Sequence, residues 1–192
     1  MTSVDVFYLQ ILSAATLKPK TLPDKYLGRV HIIEAVQALP ELNRFLYTAV
    51  GGDWYWTDRL SWTYQQWLEA IAGPEHRTFV CYLDGTPAGY YELHKHKEHD
   101  VEISYFGLLP SAYGLGIGGW LLSECLKEAF EWGATKVWVH TCTLDHPAAM
   151  ANYKARGMWH FHTEQEPRDT SKPSPGPWPN AARPIRSPDE RR

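Results

Sequence analysis

Residues 101–132 constrain this chain more than any other stretch. VEISYFGLLP reads as a strand, apolar and aromatic with Glu102 and Ser104 as its polar breaks. WLLSECLKEAFEW reads as an amphipathic helix. Leu122, Cys125, Leu126, Ala129 and Phe130 fall on one face, with Glu124, Lys127, Glu128 and Glu131 opposite. Between them Gly114, Gly116, Gly118 and Gly119 crowd a short turn. A glycine-rich turn running into a helix start leaves several N–H groups unpaired and aimed at one point, which suits a phosphate. The segment points to a phosphorylated cofactor.

Composition narrows the setting. With 192 residues the chain has the size of one domain, and 44% hydrophobic residues are ample for a core. A net charge of −3 implies no general attraction to nucleic acid or to an anionic membrane. No apolar run has the length of a membrane span, and MTSVDVFYLQILSAATLKPK lacks the basic and apolar regions of a secretory signal. Cys81, Cys125 and Cys142 are isolated and odd in number, which argues against a disulfide framework or a zinc site. A cytoplasmic protein is expected.

The chain reads as a single domain over residues 1–165, followed by a Pro-, Ser- and Arg-rich tail, 166–192, expected to be disordered or extended. Strands are expected within Val4–Leu12 and around Arg29–Glu34, and helices over Leu42–Val50 and Asp58–Ala72. Three strands joined by short turns follow: Arg77–Leu83, Gly89–His96 and Val101–Leu109. Short turns make them an antiparallel meander. After the central helix come a strand at Lys136–Thr143, a short helix at Pro147–Arg156 and a strand at Met158–Thr163. This is an α+β order with one parallel crossover.

Gly114-Leu115-Gly116-Ile117-Gly118-Gly119 satisfies the dinucleotide pattern GxGxxG literally. A dinucleotide fold, however, wants that loop after the first strand of repeated βαβ units, with an acid ending the next strand. Here it follows a meander, only one βαβ unit can be built, and Lys136–Thr143 ends in Thr-Cys-Thr. No Lys-Ser/Thr pair follows the glycines, so it is not a Walker A loop either.

Over roughly Arg77–Thr163 the chain resembles the GNAT superfamily of acetyl-CoA-dependent N-acetyltransferases. The family loop Arg/Gln-x-x-Gly-x-Gly/Ala corresponds to the stretch from Tyr113 to Gly118, with Tyr113 where the family has Arg or Gln. A second motif, a Tyr followed by Lys/Arg, Gly and an apolar residue, is matched by Tyr153-Lys154-Ala155-Arg156-Gly157-Met158, and His146 stands where many members carry Asn. The resemblance implies a mixed, largely antiparallel sheet with helices on both faces. It implies that the backbone of Gly114, Leu115, Gly116, Ile117, Gly118 and Gly119 holds the coenzyme A pyrophosphate, with His146 also at the cofactor. It further implies that Tyr153 gives a proton to the departing thiolate.

The same resemblance places Phe106, Gly107 and Leu108 against the acetyl group, with the Leu108 N–H polarising its carbonyl. A bulge near Gly107 would splay this strand from Lys136–Thr143. Glu102 stands where the histone-acetylating branch carries its base, and strict alternation puts it on the face of Phe106 unless a bulge intervenes. Other members take the base from the following strand, where Thr141 stands, so Glu102, His140 and His146 are the candidates, acting directly or through water. His94, His96, His99, His160 and His162 suggest a metal, but no carboxylate or cysteine sits at ligand spacing to complete a site, and none is expected. The aromatic run Trp54, Tyr55 and Trp56 is the expected acceptor region, favouring an apolar or aromatic amine or a peptide N-terminus. Pairing as a homodimer is a common property of the family. The rival readings are a catalytically silent acyl-CoA-binding module and, more remotely, a dinucleotide-dependent oxidoreductase.

Overall fold

The computed structural model of the chain describes residues 2–171 and 176–178. Its elements are, in order, β1 (Thr2–Ile11), β2 (Val30–Glu34), α1 (Pro40–Gly51), α2 (Tyr64–Ile71), β3 (His76–Leu83), β4 (Thr86–Lys95) and β5 (Asp100–Leu108). They continue with α3 (Ile117–Glu131), β6 (Lys136–Cys142), α4 (Ala149–Ala155) and β7 (Trp159–Arg168). The strands form one seven-stranded sheet in the order β2-β3-β4-β5-β6-β1-β7. Every ladder is antiparallel except β5–β6. The fold is α+β, with α3 and α4 packed on one face and α1 and α2 on the other.

Local chemistry explains most of these elements. The β3–β4 hairpin turns on Asp84-Gly85, whose φ of 51° and 78° is what a tight two-residue loop between right-twisted strands requires. Strand β4 therefore begins at Thr86, and the turn is tighter than the expected Asp84–Pro87. Helix α2 starts at Tyr64, later than the expected Asp58. Thr63 caps it, accepting the Gln66 N–H at 3.3 Å while the Gln66 side chain accepts the Thr63 N–H at 2.8 Å. That reciprocal cap fixes the first turn and leaves 58–63 as a loop.

The alternation of β1 sends Leu9 and Ile11 into the core under α3 and α4, while Val4 and Val6 are buried elsewhere. The expected strand near the N-terminus is thus present, but it lies between β6 and β7, the last two strands of the chain. Both neighbours run antiparallel to it, so β6 and β7 are parallel to each other and are joined by a second crossover through α4. Strand β7 runs to Arg168, past the boundary expected at residue 165. Of the remaining tail, Gly176 donates its N–H to Gly52 O at 3.2 Å, while 172–175 and 179–192 lie outside the described residues. Among the described residues no helix is long and apolar enough to cross a membrane.

Candidate functional site

The sheet opens at the one ladder that is parallel among the described residues. Strands β5 and β6 pair at Asp100–Lys136, Val101–Val137 and Glu102–Trp138, and there the pairing ends. Beyond it a cavity of about 850 Å³ passes between the two strands, walled by Phe106, Gly107 and Leu108 on one side and by Val139, His140 and Cys142 on the other. The splay expected between these strands is present. Leu109 donates its N–H to Ala88 O of β4 at 2.8 Å, so alternation turns the Leu108 N–H away from β4 and toward the gap.

At one end the cavity meets the start of α3. Gly116 is the helix N-cap with φ 80°, a left-handed conformation that suits glycine, and no side chain caps the turn. The first-turn N–H groups of α3 therefore have no partner within the helix, and the helix dipole adds its positive end. Gly114, Gly116, Gly118 and Gly119 wall the cavity here; Leu115 and Ile117 do not, since Leu115 packs on the core and Ile117 is wholly buried in it.

Two cations given no role in the sequence reading complete this end. The Arg156 guanidinium reaches Gly119 O at 3.4 Å, and its Nε–H donates to Lys18 O at 2.9 Å. Lys20 is anchored by its own N–H, donated to Ser123 Oγ at 2.8 Å. A Cβ on Gly119 would collide with both side chains, so glycine is what lets them close over the helix start. Arg156 sits within the Tyr153 motif and was legible there. Lys20 lies in an irregular connector with no local signal.

Tyr113 and His146, the two departures from the family pattern, pack against each other with ring centroids 5.4 Å apart. Trp54 joins them, its ring 5.0 Å from His146 and its Nε1–H donated to the Tyr113 hydroxyl at 3.2 Å. An aromatic wall thus replaces the expected polar side chains. The His146 Nδ1 accepts the Ala148 N–H at 3.0 Å, so the neutral ring carries its proton on Nε2 and has no lone pair left for a substrate proton. Tyr153, 6% exposed, lines the cavity from α4, its ring 6.3 Å from that of Phe106. Burial pushes its phenol well above the usual range and the charge of Asp145 adds to the effect, so Tyr153 stays protonated. Asp145 is itself held by the Thr141 hydroxyl at 2.7 Å, the Cys142 N–H at 2.9 Å and the Trp56 indole N–H at 3.3 Å.

Glu102 does not line this cavity. The β4–β5 register slips between Glu92 and Leu93, leaving Ser104 as the extra residue, so the bulge lies earlier than the expected position near Gly107. Ile103 and Phe106 consequently pack against the α3 face, and Tyr105 against α1. Glu102 and Phe106 point to opposite faces, which corrects the shared face expected from strict alternation. Glu102 instead borders a smaller hollow of about 290 Å³, together with His76, His94, His96 and His140.

Below this hollow lies Glu92, fully buried, which accepts from Asn43 Nδ2 at 2.8 Å and from Arg59 at 3.4 Å. Burial pushes the Glu92 carboxyl up, and Arg59 and Asn43 pull it back down. His76 is pushed down to about 4 by burial first, then by Arg59 and His94. Among the described residues no group of three or more His, Cys, Asp or Glu is arranged to hold a metal ion.

Comparisons with known proteins agree with this geometry. The family model described as acetyltransferase (GNAT) family matches residues 36–158. Uncharacterised N-acetyltransferases of Mycobacterium tuberculosis and Mycobacterium bovis are 32% identical over 74 residues, which make up 38% of this chain and 47% of theirs. The chain thus spans about half the length of the curated relatives it matches. Among solved structures, a GCN5-related N-acetyltransferase from Kribbella flavida superposes with a TM-score of 0.59 at 21% identity, covering 83% of this chain and 55% of that one. Another from Sphaerobacter thermophilus gives 0.58 at 20% identity, over 83% and 49%. At these identities the two structures speak for the fold.

Proposed function

The chain belongs to the acetyltransferase (GNAT) family, and from that premise we propose that it moves the acetyl group of acetyl-CoA to a primary amine by direct attack in a ternary complex. The observation that carries this reading is the gap where β5 and β6 part. A phosphate-suited helix start lies at one end of it, an outward N–H at Leu108 along its edge and a protonated phenol on its α4 side. Acetyl-CoA supplies the activated acetyl thioester. The N–H groups at Gly118 and Gly119, with Lys20 and Arg156, would hold its phosphates. The Leu108 N–H would polarise the acetyl carbonyl, and Tyr153 would protonate the departing thiolate.

On the α1 side Trp54, Tyr55 and Trp56 line the cavity, which favours an acceptor with an apolar or aromatic body, or a peptide N-terminus. A dinucleotide-dependent reading finds no support in a sheet built from an antiparallel meander, whatever the literal GxGxxG.

Calorimetric titration with acetyl-CoA and with NAD, followed by thiol release across a panel of amines and peptides, tests the reading. Acetyl-CoA is expected to bind and NAD not. Tyr153→Phe should lower kcat by about 100-fold while acetyl-CoA affinity stays within about twofold. A wild-type protein that does not bind acetyl-CoA overturns the proposal. One that binds it and acetylates nothing is an acyl-CoA-binding module instead.

A further inference from the structure

The histidine-lined hollow has no part in the transfer so far, yet it adjoins the main cavity through Ser104, Tyr105 and His140, which line both. Its walls hold a row of titratable side chains. His140 Nε2 lies 3.9 Å from Glu102 Oε1, an ion-pair distance for an imidazolium. The other carboxylate oxygen of Glu102 lies 2.9 Å from His96 Nε2. The His96 ring is 4.6 Å from that of His94, and His94 is 6.4 Å from His76. His140 and His96 are the solvent-open members of this row, with 48% and 41% of their side chains exposed, and His76 at its far end is 5% exposed.

Acetyl transfer has a proton to dispose of. A primary amine with a pKa near that of lysine, about 10, arrives as an ammonium ion. It must lose one proton to gain a nucleophilic lone pair. Its nitrogen then bonds to the thioester carbonyl carbon, the carbon–sulfur bond breaks, and the nitrogen sheds a second proton. Tyr153 gives one proton to the sulfur and must recover one. The net reaction turns an ammonium and an acetyl thioester into an amide, a thiol and one free proton.

We propose that His140 takes the proton from the acceptor amine, that Glu102 acts through His140 as a positioning residue, and that the hollow is the exit for the released proton. This deepens the acetyl-transfer reading of the same cavity and rests on it. Three observations carry it. Tyr153 approaches from the α3–α4 face and His140 from the α1–α2 face, so acid and base stand on opposite sides of the gap. Of the candidates on β5 and β6 only His140 borders both spaces, because Glu102 lies where the two strands are still paired, opposite Trp138. His146 spends its lone pair on the Ala148 N–H.

The charged and titratable groups facing His140 come from every neighbouring element. Glu102 lies on β5, with His94 and His96 on β4 behind it. Tyr8 lies on β1, its hydroxyl donated to Glu164 of β7 and its ring 5.5 Å from His162. Arg59, across the hollow, is paired with Glu92. Glu102, whose Oε1 lies 3.9 Å from His140 Nε2 and whose other oxygen is held by His96, is the carboxylate placed to orient the His140 ring.

The pH dependence of kcat/KM tests this, with tyramine, phenethylamine and a hexapeptide beginning Ser-Ala as probe acceptors and acetyl-CoA calorimetry as the control for fold and cofactor binding. His140→Ala should lose about 100-fold in kcat/KM at pH 7, lose the acidic limb of the profile and regain activity with added imidazole, with acetyl-CoA affinity unchanged within about twofold. Glu102→Gln should lose about tenfold in kcat/KM at pH 7, Glu102→Asp should recover most of that loss, and acetyl-CoA affinity should stay within about twofold in both. If His140→Ala keeps the wild-type limb, or loses activity that imidazole restores neither there nor in His140→Gly, the proposal is overturned while acetyl transfer stands. A wild-type protein that binds acetyl-CoA and releases no thiol with any probe overturns the transfer reading, and this one with it.

Discussion

On the α3 side of the gap the cavity is walled chiefly by main chain: Gly114, Gly116, Gly118 and Gly119, the open N–H groups of a helix start, and two cations closed over Gly119. On the α1 side it is walled by side chains gathered from distant elements, with Trp54, Tyr55 and Trp56 from a loop, Tyr8 from β1, Tyr105 from β5 and His140 from β6. The first half depends on the absence of side chains, and the second on their presence. One half therefore fails when an atom is added, and the other when an atom is removed or charged.

The largest expected effect comes from adding atoms to the main-chain half. Gly119→Val should weaken acetyl-CoA binding at least about 100-fold by calorimetry with the far-ultraviolet circular dichroism unchanged, since the new side chain displaces Arg156 and Lys20 from the helix start. Binding within tenfold of wild type would mean that side chains elsewhere hold the phosphates, and the contrast between the halves would collapse.

Next comes the pH dependence of stability on the acceptor side. His76 is neutral in the fold, with its pKa lowered from 6.5 to about 4. Between those values the unfolded chain takes up a proton that the folded chain refuses, so stability falls as the pH drops through that window and is flat above it. The loss should approach ~3 kcal/mol by pH 4 in denaturant titrations, and His76→Gln should remove most of that slope. An unchanged slope would place the acid sensitivity in other groups.

The smallest effect sharpens the boundary between the halves. Trp54→Ala should raise the acceptor KM by about fivefold and leave acetyl-CoA affinity within about twofold. Equal losses in both would mean that its contact with Tyr113 makes it part of the cofactor half.

The same contrast explains what could be read in the chain beforehand. The glycine turn is a local pattern whose meaning comes from backbone geometry, and Tyr153 was placed by its resemblance to a family motif, so both could be named before the fold was known. Arg156 was within the same reach, three residues after Tyr153. Ser104 was not, because nothing in VEISYFGLLP says where the β4 register slips, and that one extra residue decides which face Glu102 occupies. Lys20 reaches Gly119 only because a connector far away in sequence is pinned by Ser123. The capping box at Thr63 and Gln66 was there to be read, but the surrounding tryptophans extend the apolar pattern backward and suggested a longer helix.

The position of β1 bears on how the protein is made. Its residues leave the ribosome before those of β2 to β7, yet Val6 pairs with Cys142 on one side and with Glu164 on the other. The strand has no partner until β6 is synthesised and no second one until β7 is, and closing such long loops is slow. Val6 and Tyr8 are also part of the cavity wall. A nascent chain that has not yet emerged beyond β7 has every glycine of the loop and an unfinished cavity, so the cavity is completed by β7 and not by the loop.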